Sequence, residues 1–247
     1  TSADFATDVE SAIAYLKTRK EINTKNIGLI GHSEGGLIAP MVASKSKDVA
    51  FIVLLAGTGI QGDRLLLLQQ KLIGKASGIS DDDLQKSELT NRQVFDIVNK
   101  SSNLEKLNLD LTNYIKQTLK DNPNAGKPAG MSDDEFVNLQ VKQIANPWMQ
   151  YFIKYNPAPT LEKVKCPVLA INGEKDLQVP PKENLEAIKS ALSKGGNKKV
   201  TTKVLPNLNH LFQECKTGSP DEYATIEQTF SPTALSEILK WLQMQTK

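Results

Sequence analysis

Two hydrophobic periods alternate along this chain. Phe5, Val9, Ala12, Ile13 and Leu16 recur at helical spacing and predict a helix over 3–19, with Thr1 or Ser2 as its cap. The apolar run Ile27, Gly28, Leu29 and Ile30 leaves no polar face, so 26–31 reads as a short buried strand. Helical spacing resumes after Ser33 through Leu37, Ile38, Met41 and Val42. "AFIVLLAGTG", from Ala50 to Gly59, is a second buried strand running into a glycine-rich turn.

The pattern then changes. Between Gln61 and about Thr160 no stretch reads as a strand. Helices are predicted over 64–75, 80–100, 103–120 and 132–144. Asp81 to Asp83 follow Ser80 in a first turn, where negative charge complements the helix dipole. "DNPNAGKPAGM", 121–131, is a loop, and "NPWMQYFIKYNPAP", 146–159, is an aromatic helix bounded by prolines. Strands return at 166–176, "CPVLAINGEKD", and 200–210, "VTTKVLPNLNH", each with its exit loop. Leu185, Ile188 and Leu192 mark the helix between them. Ser231-Pro232 opens a last helix with Leu235, Ile238, Leu239 and Leu242 as its buried face. Buried strands alternating with helices predict an α/β fold with a mostly parallel sheet flanked by helices.

Composition narrows the classes. A chain of 247 residues can bury roughly 70–75% of its unfolded surface, enough for one large domain. The net charge of +2 and the absence of an aromatic stacking set among the basic residues argue against nucleic acid. No apolar run reaches the roughly 20 residues of a membrane span. Cys166 and Cys215 form no Cys-x-x-Cys pair, and two histidines are too few for most metal sites, so no metal and no cofactor are expected.

The chemistry sits in "IGLIGHSEGGLIAP", 27–40. A bare Gly-x-Ser-x-Gly turns up by chance in about one chain in ten of this length. A buried strand before it and a helix after it make it specific. The turn pushes the Ser33 backbone into strained dihedrals, and Gly31 and Gly35, lacking Cβ, let strand and helix approach. The hydroxyl is left exposed above the sheet. The backbone N–H of Glu34, at the following helix N-terminus, is the first oxyanion donor. A serine needs a base. His32, adjacent in sequence, is expected to point away and serve structure, which leaves His210. The acid is Asp176, in the exit loop of the preceding strand, with Glu174 as its rival. The order Ser33, Asp176, His210 puts all three at strand C-terminal ends, where open parallel sheets place their sites.

"GHSEGG", "INGEKDLQVP" and "LPNLNHLFQ" together resemble the α/β-hydrolase superfamily, close to bacterial serine esterases and the serine aminopeptidase and prolyl oligopeptidase-like branches. The resemblance covers nearly the whole chain. It implies an α/β-hydrolase core over 1–60 and 161–247, a helical lid inserted at 61–160, and a Ser33–His210–Asp176 triad. Trp148, Tyr151, Phe152 and Tyr155 are expected to face the pocket or the lid hinge. The chain departs from the family in having one helix, and no strands, before the nucleophile strand. No His-Gly-Gly-Gly motif supplies a second oxyanion donor. Thr1 is therefore not expected to be the biological start, and a missing N-terminal segment or a homo-oligomer is expected to cover the sheet edge. The expected reaction is hydrolysis of carboxylic esters through an acyl-enzyme. A short-peptide peptidase, a thioesterase and a non-catalytic binding module stay open. Compartment and substrate are not specified by the sequence. "DRLLLLQQKLIG", 63–74, has too many leucines for one helix face, so core packing or subunit pairing must cover it on more than one side.

Overall fold

The computed structural model describes residues 1–122 and 126–246. Four strands, β1 (Gly28–His32), β2 (Phe51–Leu55), β3 (Val168–Gly173) and β4 (Val200–Leu205), form one parallel sheet in the order β1-β2-β3-β4. The register runs Gly28 to Phe51, Ile52 to Val168, and Val168 to Val200. Every residue of β2 and β3 is buried, as their unbroken apolar runs require of central parallel strands. β1 is different: Ile30 is 55% exposed, because β1 and β4 are the edges of the described sheet. The expectation of a fully buried first strand is corrected accordingly.

Helices α1 (Ser2–Lys17) and α2 (Gly35–Ala43) flank the sheet near β1, and α9 (Pro181–Lys194) packs on β3 and β4. The last helix, α10 (Pro232–Gln245), stands Trp241 edge-on to Phe51 at 6.0 Å. Caps follow the sequence: Thr1 forms a capping box with Asp4, and Ser231 caps α10 with Pro232 behind it. Two predicted faces are rotated. Ala6, Ile13 and Ser2 are the buried residues of α1, while Phe5 and Ala12 are exposed. On α10, Ala234, Ile238 and Trp241 are buried, and Leu235 and Leu239 are more than half exposed. In both helices small or aromatic residues lie one position off the apolar stripe and fit the closer approach.

Between β2 and β3 the chain is helical. It runs through α3 (Gly62–Ala76), α4 (Asp81–Lys100), α5 (Leu104–Asp121), α6 (Asp133–Ile144), α7 (Pro147–Lys154) and the short α8 (Ala158–Leu161). Only α8 was not foreseen. The predicted loop 121–131 lies partly outside the described residues. The helices build apolar clusters of their own, one around Leu67, Val98, Leu107, Leu111 and Ile153, another around Ile115, Leu119 and Phe136. α3 joins these to the sheet's core. Leu65 is buried in the main core, Leu67 in the helical cluster, and Leu66 touches both. Leu65, Leu66 and Leu67 are therefore covered within the chain, and Leu68 is half-buried. Leu111 is fully buried in the helical cluster, so Leu111→Ala is expected to cost about 2–5 kcal/mol. Urea unfolding measures this; a loss under about 1 kcal/mol would show that the cluster is loosely packed.

Candidate active site

The C-terminal edge of the sheet collects the strain of this backbone. Four non-glycine residues among those described adopt positive φ: Ser33 at 55°, Ala56 at 49°, Asn207 at 61° and Phe212 at 58°. Ser33 directly follows β1, Ala56 directly follows β2, and the other two bracket His210. Left-handed backbone costs an L-residue roughly 1–2 kcal/mol, and such costs cluster where geometry serves a site. The bends are held by the sheet itself. Ser33 N–H donates to Leu55 O at 2.9 Å, and Ala56 N–H to Ile171 O at 2.8 Å.

Close approach at the bend is achieved by glycines, though not quite those expected. A Cβ on Gly31 would lie 2.0 Å from Gly35 O. Around Gly35 the space is open; the second tight position is Gly36, whose Cβ would meet Gly57 Cα at 2.4 Å. This contact presses the start of α2 against the β2 exit turn. No side chain caps α2. The N–H groups of Glu34 and Gly35 have no acceptor among the described residues. Two donors at a helix N-terminus therefore stand free beside Ser33, a favourable setting for an anion.

His210 and Asp176 are brought together. His210 Nδ1 lies 2.9 Å from Asp176 Oδ2, with both side chains nearly or fully buried. The carboxylate accepts, so Nδ1 carries a proton, and in the neutral ring Nε2 keeps its lone pair. Asp176 Oδ1 accepts from the N–H groups of Gln178 and Val179, at 2.9 and 2.8 Å. Both carboxylate oxygens are thus occupied, and the acid is fixed against rotation. Glu174, the rival acid, is exposed, and its Oε2 accepts the N–H of Asn207 instead. It braces the loop that carries His210. No hydrogen bond joins Ser33 to His210 among the described residues. Ser33 is half-buried at the bend, one residue from His32.

His32 braces the loop that carries His210. Its Nε2–H donates to the His210 carbonyl at 2.8 Å, and the two imidazole centroids are 4.7 Å apart. Asn209 is the other residue that motif reading passed over. It is fully buried; its Oδ1 accepts from Leu211 and Gln213 N–H, and its Nδ2 donates to Gln213 Oε1. Asn209 closes the loop around His210, with Phe212 beneath it stacked on Phe230 at 5.3 Å. A buried asparagine beside a histidine in "LNH" was the available signal. Of the four aromatics expected at the pocket or hinge, Phe152 is core, whereas Trp148 donates its Nε1–H to Glu34 Oε1 at 2.7 Å.

Burial, with His210 close by, holds the His32 pKa below its ordinary 6.5, against the upward pull of the His210 carbonyl and Asp176. In the unfolded chain His32 protonates first as pH falls, so its contribution is full above about 6.5 and is lost below it. The parent is expected to lose more stability than His32→Gln between about pH 7.5 and about pH 5. Parallel denaturant curves test this, and equal losses would contradict it.

Residues 9–215 match the family described as BAAT / acyl-CoA thioester hydrolase C terminal. No curated protein matches the chain in sequence. Among solved structures, the monoacylglycerol lipase of Paleococcus ferrophilus is 15% identical, with a TM-score of 0.49 over 100% of this chain and 76% of that one. A Nitrososphaera gargenis carboxylesterase structure is 18% identical, with a TM-score of 0.47 over 100% and 73%. The family match spans most of the chain, and the parallel sheet and its helices give it the α/β-hydrolase fold: this chain belongs to the BAAT / acyl-CoA thioester hydrolase C-terminal family, within the α/β-hydrolases.

Proposed function

We propose that this hydrolase cleaves carboxylic esters through a triad of Ser33, His210 and Asp176. The observation that carries the reading is the buried Asp176–His210 pair at the strand edge where Ser33 is bent into left-handed backbone. His210 Nε2 takes the Ser33 proton as Oγ attacks the acyl carbon. The tetrahedral oxyanion then lies against Glu34 N–H, where fixed donors act without reorganisation. Collapse breaks the bond to the alcohol, which leaves with the proton from His210. Water, deprotonated by the same nitrogen, attacks the acyl-enzyme, and Ser33 is released as the alcohol with its proton returned. Asp176 keeps the proton on Nδ1 throughout and stabilises the imidazolium.

The helices at 61–160 are proposed as the lid over this site, and residues 1–60 and 161–247 as the hydrolase core. A thioester substrate is the second reading, favoured by the family match, because the same acyl-enzyme serves a thiol leaving group. A peptidase that captures a free amine through Glu34 is less favoured, since Glu34 Oε1 already accepts from Ser2 Oγ and Trp148.

Steady-state hydrolysis of p-nitrophenyl butyrate and of a butyryl thioester separates these readings. Ser33→Ala is expected to abolish acyl-enzyme turnover of both, and Asp176→Asn to lower kcat by about 10³–10⁴-fold through loss of the correct tautomer. Equal activity of Ser33→Ala and parent would overturn the triad. A kcat/KM for the thioester far above that for the oxygen ester would move the assignment to thioesterase.

A further inference from the structure

The residue after the proposed nucleophile has two lives. Its backbone N–H is the oxyanion donor, and its side chain is committed elsewhere. Glu34 Oε1 accepts Ser2 Oγ–H from the first turn of α1 at 2.6 Å and Trp148 Nε1–H from α7 at 2.7 Å. Ser2 is fully buried, and Glu34 and Trp148 are half-buried. Hydrogen bonds to a carboxylate are among the stronger ones proteins form.

Trp148 belongs to the helix by which the inserted helices return to the sheet. Its ring stacks on Phe152 at 5.4 Å, one turn along α7. The two ends of the insertion also meet here. Gly62 N–H, at the start of α3, donates to Tyr155 O, and a Cβ on Gly62 would fall 1.8 Å from Phe152 O. Among the described residues the insertion thus makes one side-chain hydrogen bond to the nucleophile bend, to the residue whose N–H is the proposed oxyanion donor. Ser33 just before it is held at φ 55°, a conformation that persists only where its surroundings enforce it.

We propose that Trp148 is a positioning residue: by donating to Glu34 it ties the seating of the helical insertion to the aim of the oxyanion-donor peptide. The proposal rests on the triad reading above. With the insertion seated, the Glu34 side chain is held from two sides, and its backbone N–H stays directed over Ser33. Without that donor the carboxylate keeps only Ser2, and among the described residues the Ser33–Glu34 peptide is held by the Gly36 N–H to Ser33 O bond alone.

The test uses the full chain with Trp148→Phe, Glu34→Ala and the double variant, assayed on p-nitrophenyl butyrate. Trp148→Phe keeps the stack on Phe152 and removes only the donor. It is expected to lower kcat about tenfold with KM changed less than about twofold, the pattern of an interaction felt in the transition state. The double variant is expected to lose no more than Glu34→Ala alone, because both act through one bond. Glu34→Gln, which keeps the acceptor oxygen, is expected to recover part of the loss, and it stands in if Glu34→Ala does not fold. In a Trp241→Phe background the emission of Trp148 is expected to shift on Glu34→Ala. A raised KM with parental kcat, additive losses or unchanged emission would each overturn the proposal. A parent with no hydrolysis would overturn the triad reading and this inference together; an active parent with a fully active Trp148→Phe would overturn this inference alone.

Discussion

A parallel strand that turns at once into a helix leaves no room at the bend for ordinary backbone. That constraint organises this molecule. Ser33 takes the left-handed conformation there, Gly31 gives up its Cβ to Gly35 O, and Gly36 gives up its own to Gly57. The neighbouring strand then has to turn away just as sharply, and Ala56 carries the same strain one strand over. Each cost is borne by bonds that the sheet makes anyway, such as Ser33 N–H to Leu55 O. The product is a serine set directly before two helix N–H groups that have no acceptor among the described residues.

Polar bookkeeping fixes the other half of the site. His210 is buried, and every group that could let it swing is engaged. Asp176 orients Nδ1, His32 holds the carbonyl, and Asn209 ties off the flanking N–H groups. Glu174 secures Asn207, and the two left-handed residues Asn207 and Phe212 shape the loop between them. Nε2 is the part of the imidazole left without a partner among the described residues. Fully satisfied networks of this kind specify one arrangement, so the fold itself fixes the orientation of the His210 ring.

Much of this was legible in the chain. The buried strands at "FIVLL" and "VLAING" could be read because central parallel strands tolerate no polar face, and Ser33, Asp176 and His210 were picked out as candidates by lying just after β1, β3 and β4. The helices between β2 and β3 announced themselves through long apolar spacing and through caps such as Ser80 and Ser132. Other features were hidden for physical reasons. Ile30 is as apolar as its neighbours, and only sheet order reveals that it lies on an edge strand. Phe5, Leu235 and Leu239 have the right spacing for a core face, yet closer packing by Ala6, Ala234 and Trp241 rotates each helix. His32 and Trp148 act through partners 178 and 114 residues away, and no local pattern encodes such a contact.

The central claim is that Ser33 is a nucleophile activated by His210 and Asp176. The most direct measurement is the mass of the chain after exposure to a fluorophosphonate, followed by peptide mapping, with His210→Gln alongside. One adduct per chain is expected, located on the peptide containing Ser33, with strongly slowed labelling when the histidine is replaced. No adduct on the folded chain, or an adduct on another residue, would contradict the claim.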